Sequence, residues 1–185
     1  MQLKSTQGVK FAVFLLLTSI NMVSEEQADI LEACRKGDIA QVENLYAIRP
    51  DLIHTADSRG FTPLIIAVYN NQPAVVDFLL QKGARTEAQD FSGNTALMGA
   101  SFKGYKELAE KLLHAGADVN QRNGNGATAL TFAATFGQLG IAEMLLQNGA
   151  DVTLTDARGK TPLDHAWIQE NDEMVALIER YYPQG

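Results

Sequence analysis

Three groups of residues have types that could carry chemistry: a glycine pair, three histidines and one cysteine. Residues 124–129 read Gly-Asn-Gly-Ala-Thr-Ala and fit the Gly-x-Gly-x-x-Ala pattern of dinucleotide-binding loops. In such loops the glycines let the backbone approach a pyrophosphate, provided that the loop follows a strand and opens a helix. The same register elsewhere in the chain holds ordinary turn residues. The pattern therefore predicts a turn and no cofactor.

The histidines and the cysteine do not form a recognisable catalytic or metal motif. His54, His114 and His165 are widely spaced in sequence, which argues against a shared site. Cys34 is the single cysteine, so it can form no internal disulfide and gives no four-ligand zinc site. We expect it to be a small buried residue, with a reactive thiol or an intermolecular bridge as the alternative. No nucleophile elbow, paired-acid pattern or phosphate loop is present, and we expect a protein that is not an enzyme and holds no metal.

The charge of the chain restricts its partners. The 185 residues include 15 Lys and Arg and 22 Asp and Glu, which gives a formal net charge of −7. This acidity argues against a nucleic-acid partner, because phosphate binding needs a basic surface. A composition that is 46% hydrophobic and 20% charged is typical of a globular protein, and the length favours one domain.

Residues 1–24 differ in composition from the rest. Lys4 and Lys10 precede the apolar run 11–17, and the segment contains no acidic residue. A basic start, a short apolar centre and a polar exit are typical of a secretory signal peptide, and the run is shorter than the about 20 residues that span a bilayer. Because Met-Val-Ser at 22–24 replaces the usual Ala-x-Ala, an N-terminal amphipathic helix packed on the domain stays the alternative. Cleavage would give a periplasmic or secreted protein with no membrane contact, and an uncleaved chain would be cytoplasmic.

A fixed repeat period, equal to the spacing from Gly60 to Gly93, runs through the remainder of the chain. Three positions of the unit recur in four copies without insertion or deletion. They are a glycine, a threonine two positions later and a leucine two positions after that: Gly60, Gly93, Gly126 and Gly159; Thr62, Thr95, Thr128 and Thr161; Leu64, Leu97, Leu130 and Leu163. Fixed periods of this length are typical of stacked repeat proteins.

Each unit predicts two short helices joined by turns. In the first full unit, the turn 57–60 precedes Thr62, a good N-cap, and Pro63, which is favoured at the first helical position. The apolar run 75–80 forms a second helix, which Gly83 ends in a left-handed cap. One helix pair cannot bury both apolar faces. We therefore expect an all-α solenoid of stacked helix-turn-helix units with short hairpin-like loops.

The unit resembles the ankyrin repeat. The opening of that repeat, Asp-x-x-Gly-x-Thr-Pro-Leu, is closest in DSRGFTPLIIAV (57–68) and DARGKTPLDHAW (156–167). Its ending, Leu-Leu-x-x-Gly-Ala-Asp-Val-Asn, is closest in LLHAGADVN (112–120) and LLQNGADVT (145–153). The family's histidine after Thr-Pro-Leu is absent, and its inter-helix glycine is replaced in two units. The replacing residues are Ile65, Met98, Thr131 and Asp164 for the histidine, and Asn71 and Glu170 for the glycine.

The resemblance divides the chain into units. They are an N-terminal capping unit at 25–56, repeats at 57–89, 90–122 and 123–155, and a C-terminal capping repeat at 156–185, after the signal peptide at 1–24. With that signal and without further domains, the chain would suit a small exported bacterial ankyrin-repeat protein.

The resemblance also implies a protein partner, bound on a concave face of hairpin tips and exposed sides of first helices. Register places ten residues on this face: Arg59, Phe61, Tyr69, Phe91, Asn94, Phe102, Lys103, Phe136, Arg158 and Lys160. Aromatic side chains at such positions favour contact with a partner, and packing against the neighbouring unit is the alternative. We expect a monomeric interaction module. The other functions considered are a modulator or inhibitor of one enzyme, and a small-ligand binder or enzyme that uses the concave groove.

Overall fold

The computed structural model describes residues 25–182, which form helices and turns without a strand. The helices are α1 (25–36), α2 (Ile39–Ile48), a 3₁₀ helix (Pro50–His54), α3 (Pro63–Tyr69), α4 (Pro73–Gln81), α5 (Ala96–Lys103), α6 (Lys106–His114), α7 (Ala129–Thr135), α8 (Leu139–Gln147), α9 (Pro162–Ile168) and α10 (Asp172–Glu179). The predicted all-α repeat solenoid is confirmed. The predicted signal peptide at 1–24 lies outside the described residues.

A threonine precedes and caps each of the helices α3, α5, α7 and α9. The hydroxyls of Thr62, Thr95, Thr128 and Thr161 accept hydrogen bonds from the backbone N–H three positions later, as predicted for Thr62. In three units the side chain at that later position accepts a hydrogen bond from the threonine N–H in return. These side chains are Met98 (Sδ, 3.5 Å), Thr131 (Oγ1, 3.1 Å) and Asp164 (Oδ2, 2.8 Å). Three of the four residues that replace the family's histidine thus reinforce the helix starts, and Ile65 does not.

The helices form two rows. The first helices α3, α5, α7 and α9 pack against one another in sequence, and α2, α4, α6, α8 and α10 form an outer row behind them. Leu64, Leu97 and Leu130 are buried between the rows, and burial of each contributes about 1.5–3 kcal/mol. Cys34 is also buried, and burial raises the pKa of its thiol to about 12. Its predicted place as a small buried residue is confirmed.

The turns between units form a row of tips above the first helices. In the first tip, Asp57 Oδ1 accepts hydrogen bonds from the backbone N–H of Arg59 (2.8 Å) and Phe61 (2.9 Å). One backbone hydrogen bond joins each tip to the next: Phe91 N–H to Arg59 O (2.9 Å), Gly124 N–H to Ser92 O (2.9 Å) and Ala157 N–H to Asn125 O (2.7 Å). The glycine-rich stretch 124–129 belongs to one of these tips and to the helix start after it, so it has the predicted turn conformation.

The residue between the two helices of a unit has a positive φ. It is glycine in the central units, with φ of 80° at Gly104 and 67° at Gly137. It is Asn71 and Glu170 in the flanking units, both with φ of 53°. The left-handed conformation costs most residues about 1–2 kcal/mol, and asparagine tolerates it better than glutamate does.

Candidate partner-binding face

Three grooves follow one another between the tips and the first helices. The first has a volume of about 310 Å³ and is lined in part by Arg35, Arg59 and Phe61. We name the second groove A (about 340 Å³) and the third groove B (about 570 Å³). Since side chains of both tips and first helices line all three, we call this side of the molecule the concave face.

Groove A has an apolar floor and a polar rim. Phe61, Ile65, Tyr69, Met98, Phe102 and Phe132 supply its apolar lining. On the rim, the Asn94 side chain donates to Asp90 Oδ2 (3.2 Å) and accepts from Asn123 Nδ2 (2.8 Å). The polar atoms of Asn94 thus tie two neighbouring tips together. This predicted site residue helps to fix the wall of the groove.

Three aromatic side chains from consecutive units form a continuous ridge beside the grooves. The ring centroids of Tyr69 and Phe102 are 6.1 Å apart with planes 16° from parallel, and Phe102 meets Phe136 edge-on at 4.6 Å. We call these three side chains the aromatic ridge. Tyr69 remains 43% exposed and Phe136 47% exposed. The rings therefore pack against neighbouring units, as the alternative interpretation expected, and still present surface to solvent.

Two cations lie over rings that line groove A. The Lys103 Nζ is 4.4 Å from the ring centroid of Tyr69 and 5.5 Å from that of Phe102. The Arg59 guanidinium lies 4.6 Å from the centroid of Phe61. Each contact is a cation–π interaction, which holds a long side chain in place without neutralising its charge. Two positively charged side chains thus contact rings that line groove A.

Groove B contains a histidine–aspartate pair. His165 Nε2 lies 3.0 Å from Asp156 Oδ2, and Asp156 Oδ1 accepts hydrogen bonds from the backbone N–H of Arg158 (2.8 Å) and Lys160 (2.9 Å). Burial alone would raise the pKa of Asp156. The hydrogen bonds from Lys160, His165 and Arg158 outweigh burial and hold that pKa below its ordinary value.

Sequence reasoning gave His165 no role in this groove. One repeat period relates it to Phe132, which lines both grooves. That register is the signal that could have placed it there. The hydroxyls nearby are already engaged, because Thr131 Oγ1 closes the helix cap with Thr128 and Thr135 Oγ1 donates to the Thr131 carbonyl at 2.7 Å. The groove thus offers hydrogen bonding and ring contacts rather than a poised nucleophile.

Among residues 25–182, no three His, Cys, Asp or Glu side chains lie close enough together to hold a metal ion.

The structure does not bring every predicted site residue together. Seven of the ten line the grooves: Arg59, Phe61, Tyr69, Asn94, Phe102, Phe136 and Arg158. Lys103 lies over the ring of Tyr69. Phe91 is 82% exposed at its tip, packs over Gly60 and lines none of the three grooves. Lys160 is exposed and also lies outside the groove linings. The binding role of all ten residues stays a prediction.

Comparison with known families agrees with this architecture. A model described as "Ankyrin repeats (3 copies)" matches residues 30–123, and one described as "Ankyrin repeats (many copies)" matches residues 112–166. Ankyrin repeats are generally protein–protein interaction modules.

Two similar curated proteins each share a short segment with this chain. The chain is 41% identical over 64 residues, or 35% of its length, to a protein named Palmitoyltransferase akr1 from Neurospora crassa. It is 35% identical over 70 residues, or 38% of its length, to BTB/POZ domain-containing protein 3 from Schizosaccharomyces pombe. These segments span 9% and 13% of the two relatives, so their names assign no activity to this chain. No helix in residues 25–182 is long and apolar enough to cross a membrane.

Proposed function

Because the chain belongs to the ankyrin repeat family, we propose that it binds a partner protein, without catalysis, through its concave face. The aromatic ridge is the observation that carries this proposal. Its rings are held in place by contacts across three units, and two of them keep close to half of their surface exposed. Aromatic side chains of this kind are enriched among the residues that dominate binding energy.

The rigidity of the ridge supports binding as well as its exposure. A ring that is already packed loses little conformational freedom when a partner covers it, so more of its burial energy appears as affinity. Burying the remainder of an aromatic side chain is favourable by about 25 cal/mol for each Å² of apolar surface. The grooves on either side give a partner concave places for its own side chains.

A modulator or inhibitor of one enzyme would use the same face and differ only in the partner. A small-ligand function has one observation in its favour. Groove B has a volume of about 570 Å³, within the range of about 300–1,000 Å³ that is usual for ligand sites, and holds the Asp156–His165 pair. We also propose export of the mature chain, on the composition of residues 1–24. The intact mass of the protein from its native host tests this, and a start at Met1 would contradict cleavage.

The test of the proposed face removes two rings of the ridge. In the variant Tyr69→Ala with Phe102→Ala, we expect capture of the native partner, identified by pull-down and mass spectrometry, to weaken by about 30-fold or more. The matched control is Ile48→Ala, which removes an apolar side chain that is 71% exposed on α2 in the outer row. The control should capture the partner normally. Full capture by the ring variant would contradict the assignment of the face, provided that circular dichroism shows both variants to be folded.

A further inference from the structure

We propose that the partner segment bound on the concave face is acidic, with an aliphatic or aromatic anchor residue flanked by carboxylates. This inference rests on the proposed function and adds the chemistry of the partner. It follows from an uneven distribution of charge between the two sides of the solenoid, together with the lining of groove A.

The outer row carries most of the helical negative charge. Its helices α2, α4, α6, α8 and α10 hold eight carboxylates and two lysines: Glu43, Asp77, Glu107, Glu110, Glu143, Asp172, Glu173 and Glu179, with Lys106 and Lys111. Lys111 is paired on that surface, with its Nζ 2.7 Å from Asp77 and 3.2 Å from Glu107. The outer surface is therefore strongly acidic.

The carboxylates of the concave face are committed to their own turns. Asp164 is the single carboxylate in the first helices α3, α5, α7 and α9, and its Oδ2 accepts hydrogen bonds from both the N–H and the hydroxyl of Thr161. At the tips, Asp57, Asp90 and Asp156 each accept hydrogen bonds from two backbone N–H groups. At each tip one carboxylate oxygen is used by the backbone, and the other lies near a side chain of the protein itself: Arg59, Asn94 or His165.

The cations of the same face lack close carboxylate partners within the described part of the protein. Lys103 and Arg158 have no carboxylate within 4 Å among residues 25–182, and Arg59 meets Asp57 only at 3.7 Å. Lys103 and Arg59 lie over rings that line groove A. An apolar side chain inserted into this groove would thus contact rings that carry these cations. Carboxylates next to that apolar residue would complete the match.

The overall charge of −7 does not outweigh this local pattern. At physiological ionic strength charges are screened over about 8 Å. The outer carboxylates belong to the second row of helices, and the first row, about 10 Å across with side chains, lies between that row and the grooves. The sign of charge near the grooves therefore decides which segments dock.

The N-terminal segment 1–24 of the chain is a weaker candidate for the same face. Lys4 and Lys10 are the only charged side chains in that segment, so it has the same sign of charge as Lys103 and Arg59. Occupation of the groove by this segment is one outcome that the following experiment distinguishes.

The test is selection of random dodecapeptides, displayed on phage, against the immobilised full-length protein and two variants. Lys103→Glu reverses a charge beside groove A, and Lys106→Glu is its control, because it makes the same change nearby in the sequence but on the outer helix α6. We expect the native protein and the control to enrich peptides with Asp or Glu around an aromatic or aliphatic residue. Against Lys103→Glu, their affinity should fall by about tenfold or more, and salt should weaken their binding to the native protein.

Enrichment of basic or uncharged peptides, equal selection by the Lys103→Glu variant, or no enrichment would overturn the inference. So would displacement of the selected peptides by a synthetic peptide of the segment 1–24. A parallel selection against Tyr69→Ala with Phe102→Ala separates the two proposals. If this variant fails to bind the peptides that the native protein selected, and those peptides are not acidic, the concave face binds but the proposed partner chemistry is wrong. If selection is unaffected, the proposed face itself is wrong.

Discussion

Grooves A and B have the same backbone framework and different linings. The first helices behind each begin with the same threonine cap, at Thr62 and Thr128. Three equivalent wall positions differ: Phe61, Ile65 and Tyr69 at groove A correspond to Ala127, Thr131 and Thr135 at groove B. The smaller side chains leave groove B larger, at about 570 Å³ against about 340 Å³. Since the shared caps and turns carry the fold, lining positions outside them, such as those of Phe61 and Tyr69, are free to set what each groove binds.

The largest expected effect on stability is at Gly93, where the tip beside groove A contacts the next tip. At Gly93, with φ of 80°, a Cβ would overlap the backbone nitrogen of Gly124 in the next tip. We expect Gly93→Ala to lower the free energy of unfolding by about 3 kcal/mol or more, measured by urea denaturation. Gly159 has φ of 72° and open space around its Cα, so Gly159→Ala should lose only about 1 kcal/mol. Equal losses in both variants would show that the tips are not held in close register.

A smaller effect on stability is expected when Asp156 in groove B is replaced. In Asp156→Asn the hydrogen bonds to Arg158, Lys160 and His165 lose their ionised acceptor, and the free energy of unfolding at pH 7 should fall by about 1–2 kcal/mol. The pKa of Asp156 is lowered in the folded protein, so its contribution is present above the ordinary pKa of about 3.9 and is lost as pH falls through the lowered value. The difference between wild type and variant should therefore shrink below about pH 4. A difference in urea midpoints that does not change from pH 7 to about pH 3 would contradict this role of the carboxylate.

The smallest effect on stability is expected when groove B is given a wall residue of groove A. Ala127 is half-buried at the position equivalent to Phe61, and Ala127→Phe should change the free energy of unfolding by less than about 0.5 kcal/mol. If the partner docks mainly through groove A and the ridge, its capture should be unchanged. Strong loss of capture would instead show that groove B is the main contact with the partner.

The framework could be predicted from the sequence because its determinants are local. Thr62 caps a helix and the Asp57 turn closes through hydrogen bonds to its near neighbours in the chain, so residue type and spacing fix both. The contents of the grooves depend instead on how neighbouring helices are placed. His165 occupies a position where the family pattern has an apolar residue, and its contact with Asp156 spans a turn and a helix start. The reach of Lys103 back to Tyr69 likewise appears only when α3 and α5 are packed together.

The aromatic ridge also does not follow the period of the repeat. Tyr69 and Phe102 are one repeat period apart, but the next ring of the ridge is Phe136, just beyond the equivalent position, where Thr135 stands. Copying the second unit would have put a ring at position 135, so Phe136 is a feature of the third unit alone. For protein engineering, the scaffold is modular and the ridge is not. Exchanging the third unit for a copy of the second would keep the threonine cap and the turn, but it would remove Phe136 from the ridge.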